Sequence, residues 1–191
     1  PFKNKFDGMF YTINKLVIDT SAATTAQATG LFGVVDGGSV LAARIENIGL
    51  VDPAIIGGNK ATNYTGGLAG QATNAVFRNV YTEGGSISGR TKLTGGLIGY
   101  VGNDSDAGST AVKIDNAYNT ADVAYNTSSG TSYGGGIVGK AKYNVAIEDV
   151  YNASNHVAQG IIASVGVTDG VSLTVKHAYT TSASLTDANS V

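Results

Sequence analysis

Gly95-Gly96-Leu97-Ile98-Gly99 is one of three full copies of a motif made of two glycines, two apolar residues and a further glycine. The other full copies begin at Gly66 and Gly135, and a fourth, beginning at Thr29, lacks the first glycine. Self-similarity at a regular interval is the sequence signature of a repeat architecture. This glycine motif therefore predicts that the chain is an array of repeats.

A second motif, here called the corner motif, lies about half a repeat away from the glycine motif and recurs six times. It reads apolar, polar, polar (often Asn), apolar, and then often Tyr. Its central residues are 32, 32, 37, 33 and 28 positions apart, which predicts about six coils of roughly 32 residues. The central residues are Lys15, Asn47, Asn79, Asn116, Asp149 and His177.

The centre of the corner motif is predicted to be a bend. Side chains alternate in direction along a strand, yet the first and fourth positions are apolar in all six copies. Strict alternation would put these two positions on opposite faces, so the backbone must turn between them. Asn tolerates the left-handed region and can hydrogen-bond the neighbouring backbone. Asn47, Asn79 and Asn116 are therefore predicted to form a structural ladder at a corner.

Each repeat contains three short extended segments, at 65–70, 75–82 and 85–88 in one repeat, and no helical periodicity over ten or more residues. Stacking each strand on its equivalent in the next coil, about 4.8 Å away, satisfies the backbone without local hairpins. The predicted fold is all-β, a right-handed, three-faced parallel β-solenoid. Residues 1–191 are expected to form a single domain that is a fragment of a longer repeat protein.

The composition favours an extracellular β-rod. The chain has 27 Gly, 2 Pro and no Cys, and 42% of its residues are apolar, enough to fill an interior when placed in register. The 12 basic and 14 acidic residues provide no basic face, so no nucleic-acid partner is expected. No apolar run reaches the roughly 20 residues that span a bilayer, so no membrane insertion by this segment is expected.

The glycine motif, preceded by a segment such as 6–18, resembles the GLUG repeat. That repeat occurs in large secreted or surface-anchored bacterial proteins, including haemagglutinin-like and filamentous adhesins and the non-catalytic parts of streptococcal IgA-specific metallopeptidases. The resemblance implies a non-enzymatic segment of a cell-surface adhesin, with host cell-surface glycans or proteins, or neighbouring bacterial cells, as partners. The alternative that it implies is a non-catalytic accessory domain of a secreted peptidase.

Two motifs suggest bound ions or nucleotides and are not supported by their context. Residues 134–140 match a phosphate-binding loop, but Ala141 stands where such a loop needs Ser or Thr, and no helical pattern follows. Asp104 and Asp106 lie in a polar loop that lacks the later bidentate Glu of a calcium site. No cofactor and no metal is therefore predicted.

A carbohydrate-active enzyme is a further, less favoured alternative. Asp115 and Glu148 occupy the same outward position in consecutive coils, and a separation of about 5 Å would suit a retaining glycosidase. The residues at that position carry charges of both signs, which also fits a row of charge pairs on the surface. No catalytic residue is predicted. This charge column consists of Glu46, Arg78, Asp115, Glu148 and Lys176.

A column of tyrosines is the predicted ligand-binding feature. One Tyr follows the inward fourth position in four successive corner motifs, so alternation points its ring outward. Such rings offer apolar area with hydroxyl rims, which suits glycans or proteins. Stacked rings also stabilise neighbouring strands by about 0.2–1 kcal/mol a pair, so binding and stabilisation are both open. The tyrosine column consists of Tyr81, Tyr118, Tyr151 and Tyr179.

Overall fold

The structure is a computed structural model that describes residues 1–38, 43–60, 62–90, 93–102, 111–125, 133–142, 144–154, 160–165 and 172–181. Within these ranges the secondary structure consists of β-strands without a helix. The strands form four sheets, and every pairing between named strands is parallel. The pairings run through the whole described chain.

The largest sheet, here called the long sheet, carries the corner motifs, and the second sheet follows it along the chain. The strands of the long sheet are β1 (Lys5–Asn14), β5 (Ala43–Val51), β9 (Ala75–Glu83), β13 (Ala111–Asn119), β17 (Asn144–Asn152) and β19 (Leu173–Thr180). Those of the second sheet are β2 (Val17–Asp19), β6 (Ala54–Ile56), β10 (Ser86–Gly89) and β14 (Asp122–Tyr125).

The third and fourth sheets lie on either side of the glycine motifs. The strands of the third sheet are β3 (Ala28–Thr29), β7 (Tyr64–Gly66), β11 (Leu93–Gly95) and β15 (Tyr133–Gly135). Those of the fourth sheet are β4 (Phe32–Asp36), β8 (Ala69–Thr73), β12 (Ile98–Val101), β16 (Val138–Ala141) and β18 (Ile162–Val165).

Each strand pairs with its equivalent in the neighbouring coil, so the predicted all-β parallel solenoid is confirmed. The number of coils differs slightly from the six predicted. Four coils, from β1 to β16, contribute a strand to all four sheets, so the described residues form about four complete turns. After β16 they add only β17, β18 and β19.

The glycine motif divides one predicted segment into two strands. The segment at 65–70 is interrupted at Gly67 and Leu68, with β7 before the interruption and β8 after it. The segments predicted at 75–82 and 85–88 correspond to β9 and β10. The motif is therefore a turn between the third and fourth sheets.

The first predicted corner motif, at 13–17, is wrong in its register. In the long sheet Asp7 pairs with Glu46 and Tyr11 with Ile48, so three residues of β1 lie opposite Asn47 alone. This bulge interrupts the true equivalent of the corner motif, which lies near the start of β1. Lys15 follows the pairing of Asn14 with Val51, and its φ of 54° matches the φ of 50° at Asp52. Lys15 therefore lies at the next corner, between the long and second sheets.

The interior is filled by apolar side chains stacked from coil to coil. In the long sheet, the first and fourth positions of the corner motifs from β5 to β17 are all buried. Burying a Val, Ile or Phe side chain contributes about 1.5–3 kcal/mol. The first positions are Ile45, Phe77, Ile114 and Ile147, and the fourth are Ile48, Val80, Ala117 and Val150.

Candidate binding face of the long sheet

The centre of each corner motif in the long sheet, from β5 to β19, has a left-handed backbone. The φ angles are 55° at Asn47, 53° at Asn79, 51° at Asn116, 54° at Asp149 and 47° at His177. Few non-glycine residues adopt this conformation readily, and Asn is among those that do. The resulting bend allows apolar residues on both sides of the corner to point into the core.

Side-chain amides connect these corners along the rod. Asn79 donates its amide to Asn47 Oδ1 at 2.7 Å, and Asn116 donates to Asn79 Oδ1 at 2.8 Å. Asn47 donates to Asp7 Oδ1 at 2.9 Å, which lowers the pKa of Asp7 together with the backbone N–H of Met9. The structure thus places Asn47, Asn79 and Asn116 in one hydrogen-bonded row, here called the corner ladder.

The tyrosine column begins as a packed stack. Parallel pairing aligns Tyr81, Tyr118, Tyr151 and Tyr179 across four strands. The rings of Tyr81 and Tyr118 lie 4.6 Å apart between centroids and 5° from parallel. The ring of Tyr81 covers Gly49, where a Cβ would overlap it. These two half-buried rings therefore stabilise neighbouring strands.

Tyr118 is also fixed by its hydroxyl group. The hydroxyl donates to Glu83 Oε2 at 2.7 Å. Burial of the ring raises the pKa of Tyr118, and the neighbouring Glu83 carboxylate raises it further, so the phenol stays protonated. A protonated, hydrogen-bonded hydroxyl has less capacity left for an external ligand.

The other half of the tyrosine column is accessible. Tyr151 is 43% exposed and Tyr179 is 68% exposed. Both rings occupy the same register position on adjacent strands, so they lie on the same outer face of the long sheet. Of the four predicted binding tyrosines, Tyr151 and Tyr179 are thus the two with the most exposed side chains.

At the N-terminal end of the rod the charge column holds a compact ion-pair cluster. Glu46 contacts Lys5 Nζ at 3.0 Å and Arg44 Nη1 at 3.3 Å, and its side chain is only 10% exposed. The hydrogen bond from Lys5 is the main cause that lowers the pKa of Glu46, with a further contribution from Arg44. Burial opposes this effect but does not reverse it.

One of the two carboxylates that would form a glycosidase pair is held in ion pairs. Asp115 and Glu148 are register neighbours, as the sequence predicts. Asp115 is held by Arg78 Nε at 2.9 Å and by Lys113 Nζ at 3.8 Å. These cations make Asp115 part of a surface ion-pair ladder, and an ion-paired carboxylate is a weaker nucleophile than a free one.

Residues 134–140, the apparent phosphate loop, lie on β15, β16 and the turn between them. Asp104 and Asp106 lie outside the described residues.

A buried polar ladder beneath the tyrosines was missed by sequence reasoning. Thr82 donates to Asn119 Oδ1 at 2.5 Å, Asn119 donates to Asn152 Oδ1 at 3.1 Å, and Asn152 donates to Thr180 Oγ1 at 3.3 Å. The first three of these residues are completely buried. The signal in the sequence is the Thr or Asn that follows every Tyr of the column, where alternation points inward.

Comparison with known proteins gives one partial similarity. A protein named halomucin, from Haloquadratum walsbyi, is 39% identical over 98 residues, which cover 51% of this chain. The matched part is 1% of the length of halomucin, so that protein is very large. No family model and no solved structure matches the chain.

The fold and this similarity are compatible with a structural segment of a large surface protein. In the part of the chain that the structure describes, no helix combines the length and the hydropathy needed to cross a membrane.

Proposed function

We propose that this chain is a non-enzymatic structural and binding segment of a bacterial surface adhesin built from GLUG-like repeats. The rod would hold a shallow binding face away from the cell and present it to host glycans or proteins, or to neighbouring cells. The parallel solenoid supports the rigid role, because each coil is bonded to the next along the whole described chain. The similarity to a very large protein supports the role of a segment.

The exposed pair Tyr151 and Tyr179 carries the binding part of this proposal. The two residues are paired in register on adjacent strands and are the most exposed part of the tyrosine column. Aromatic faces pack against the C–H faces of sugars, while the hydroxyl groups at the rim form hydrogen bonds. A glycan chain lying across the strands is therefore the ligand class that this surface fits.

The test is binding of the chain to a printed array of host and bacterial glycans. We expect the wild-type chain to bind a subset of these glycans and the double variant Tyr151→Ser/Tyr179→Ser to lose that binding. The matched control is Tyr11→Ser, since Tyr11 is 74% exposed but lies outside the column. Thermal melting of all three proteins checks that they are folded. Binding that survives in the double variant would rule out the tyrosine face.

The enzymatic alternative has its own test. Turnover assays on polysaccharides, with Asp115→Ala and Glu148→Ala as variants, are expected to show no hydrolysis above the background. Hydrolysis by the wild-type chain that both variants lose would replace the proposed role with a glycosidase.

A further inference from the structure

The corner ladder changes its chemistry towards the C-terminal end of the rod. From β5 to β13 its members are the neutral amides of Asn47, Asn79 and Asn116. The next two positions hold a carboxylate, Asp149, and an imidazole, His177. His177 Nδ1 lies 2.9 Å from Asp149 Oδ1. The neutral corner ladder is thus followed by Asp149 and His177, two residues whose side chains can bind a metal ion.

A third ligating group lies beside this pair. Glu148 precedes Asp149 in β17 and belongs to the charge column. One ligand atom from each of Glu148, Asp149 and His177 lies within 4.8 Å of the other two. Glu148 is half-buried and the other two are exposed, so the cluster opens to solvent and an ion can enter.

The fold fixes the positions from which these side chains start. The pairing of Glu148 with Lys176 and of Val150 with Ala178 places Asp149 directly beside His177 in adjacent strands. Both residues have the left-handed backbone of the corner, with φ of 54° and 47°. The two strands therefore present the ligands without any rearrangement of the sheet.

We propose that Glu148, Asp149 and His177 form a site for a divalent transition-metal ion of the zinc type. Zinc accepts one imidazole nitrogen and two carboxylate oxygens at about 2.0–2.2 Å, with water as a fourth ligand. Tetrahedral geometry at those lengths separates the ligand atoms by about 3.4 Å. The Asp149–His177 contact must then widen by a few tenths of an ångström, and rotation of the Glu148 side chain supplies the third ligand.

The donor set distinguishes zinc from the common hard cations. Calcium and magnesium prefer sites made only of oxygen atoms, whereas an imidazole favours zinc and related ions. A metal at this point would link β17 to β19 through side chains as well as through the backbone. This site uses none of the residues of the tyrosine column and goes beyond the proposed function.

Isothermal titration of the whole metal-free chain with zinc sulfate tests the site. We expect one ion per chain for the wild type and no binding at that stoichiometry for His177→Asn or Asp149→Asn. Asn is the residue that occupies the same ladder position at 47, 79 and 116, so both variants keep a residue suited to the left-handed corner. The matched control is His156→Asn, the same chemical change at the other histidine of the chain.

The outcomes of the titration are decisive in either direction. Zinc binding that is lost in His177→Asn and retained in His156→Asn supports the site. The absence of a one-to-one event in the wild type, or its persistence in His177→Asn, overturns the proposal. Glu148→Gln is a further variant that leaves the corner untouched and is expected to weaken binding without removing it.

Hydrogen exchange gives a second readout that does not depend on heat of binding. Zinc should slow amide exchange in residues 173–180 of the wild type, because binding to the folded state suppresses opening of β19. The same ion should have no effect on His177→Asn, and magnesium should have none on either protein. Equal protection by magnesium would contradict a transition-metal site.

Discussion

The amide group of Asn152 occupies the space that a side chain on Gly136 would need. The same relationship joins Asn119 to Gly96, while Thr82 fills the space beside Gly67. The second glycine of each glycine motif is therefore required by the member of the buried polar ladder in the next coil along the chain. The two repeated motifs of the sequence are thus connected by direct packing.

Gly136→Ala is expected to destabilise the protein by about 1–3 kcal/mol, because the added Cβ overlaps the buried Asn152 amide. Asn152→Ala should also destabilise by about 1–3 kcal/mol, since it removes the Oδ1 acceptor of a buried Asn119 amide N–H. Urea denaturation of the two single variants and the double variant measures their coupling. We expect the double variant to be more stable than the sum of the single effects implies, and strict additivity would contradict the overlap.

Asn79→Ala is expected to destabilise the protein more than Asn79→Gly, by about 1 kcal/mol. Both changes remove the amide bonds to Asn47 and from Asn116, but only Ala incurs the cost of a left-handed backbone. The glycine variant is thus the control that isolates the backbone effect. Urea denaturation followed by far-UV circular dichroism compares them, and equal stability would show that the corner is not strained for Ala.

The ion pairs of Glu46 should make the protein sensitive to acid. The folded-state pKa of Glu46 lies below its unfolded value of about 4.5. Its stabilising effect is therefore present above that pH and is lost as the pH falls through the folded-state pKa. Glu46→Gln should reduce the loss of stability that occurs as the pH falls below about 4.5. Thermal melts across this range measure the effect, and identical slopes for the two proteins would contradict it.

In two neighbouring coils, a large and a small residue that face each other have exchanged positions, which provides a further test. Gly89 pairs with Tyr125 and Thr94 pairs with Gly134, and in each coil one large and one small residue face each other. A Cβ on Gly89 would overlap Thr94 Oγ1, and a Cβ on Gly134 would overlap the Tyr125 ring.

Gly134→Thr alone is therefore expected to cost about 1–3 kcal/mol by overpacking. The double variant Gly134→Thr/Tyr125→Gly reproduces the arrangement of the preceding coil and should recover part of that loss. The single variant Tyr125→Gly serves as the control for the loss of the ring. A double variant that is no more stable than Gly134→Thr would show that the two positions do not exchange volume.

The repeat spacing was enough to predict the parallel solenoid, because every coil must supply equivalent strands to the same sheets. It was not enough to place the first coil. The bulge opposite Asn47 adds two residues to β1, and the segment at 13–17 imitates the corner motif because Lys15 occupies a different left-handed corner. A pattern of residue types does not distinguish two corners that have the same backbone conformation.

The buried polar ladder could not be predicted from polarity alone. Thr82, Asn119 and Asn152 have side chains that are usually exposed, and their burial depends on hydrogen bonds between coils. The difference between the two halves of the tyrosine column also required the structure. Only the contact of Tyr118 with Glu83 and the stacking on Tyr81 show which rings are already engaged.

The pairing of every described strand with its equivalent one coil away has a mechanical consequence. Tension that pulls one coil away from the next acts on the bonds between those two coils, so the rod would unwind one coil at a time. Each released coil of about 32 residues extends to roughly 110 Å, where it had occupied about 4.8 Å of rod. Such a segment would lengthen stepwise under tension, while the coils that are still wound keep their shape.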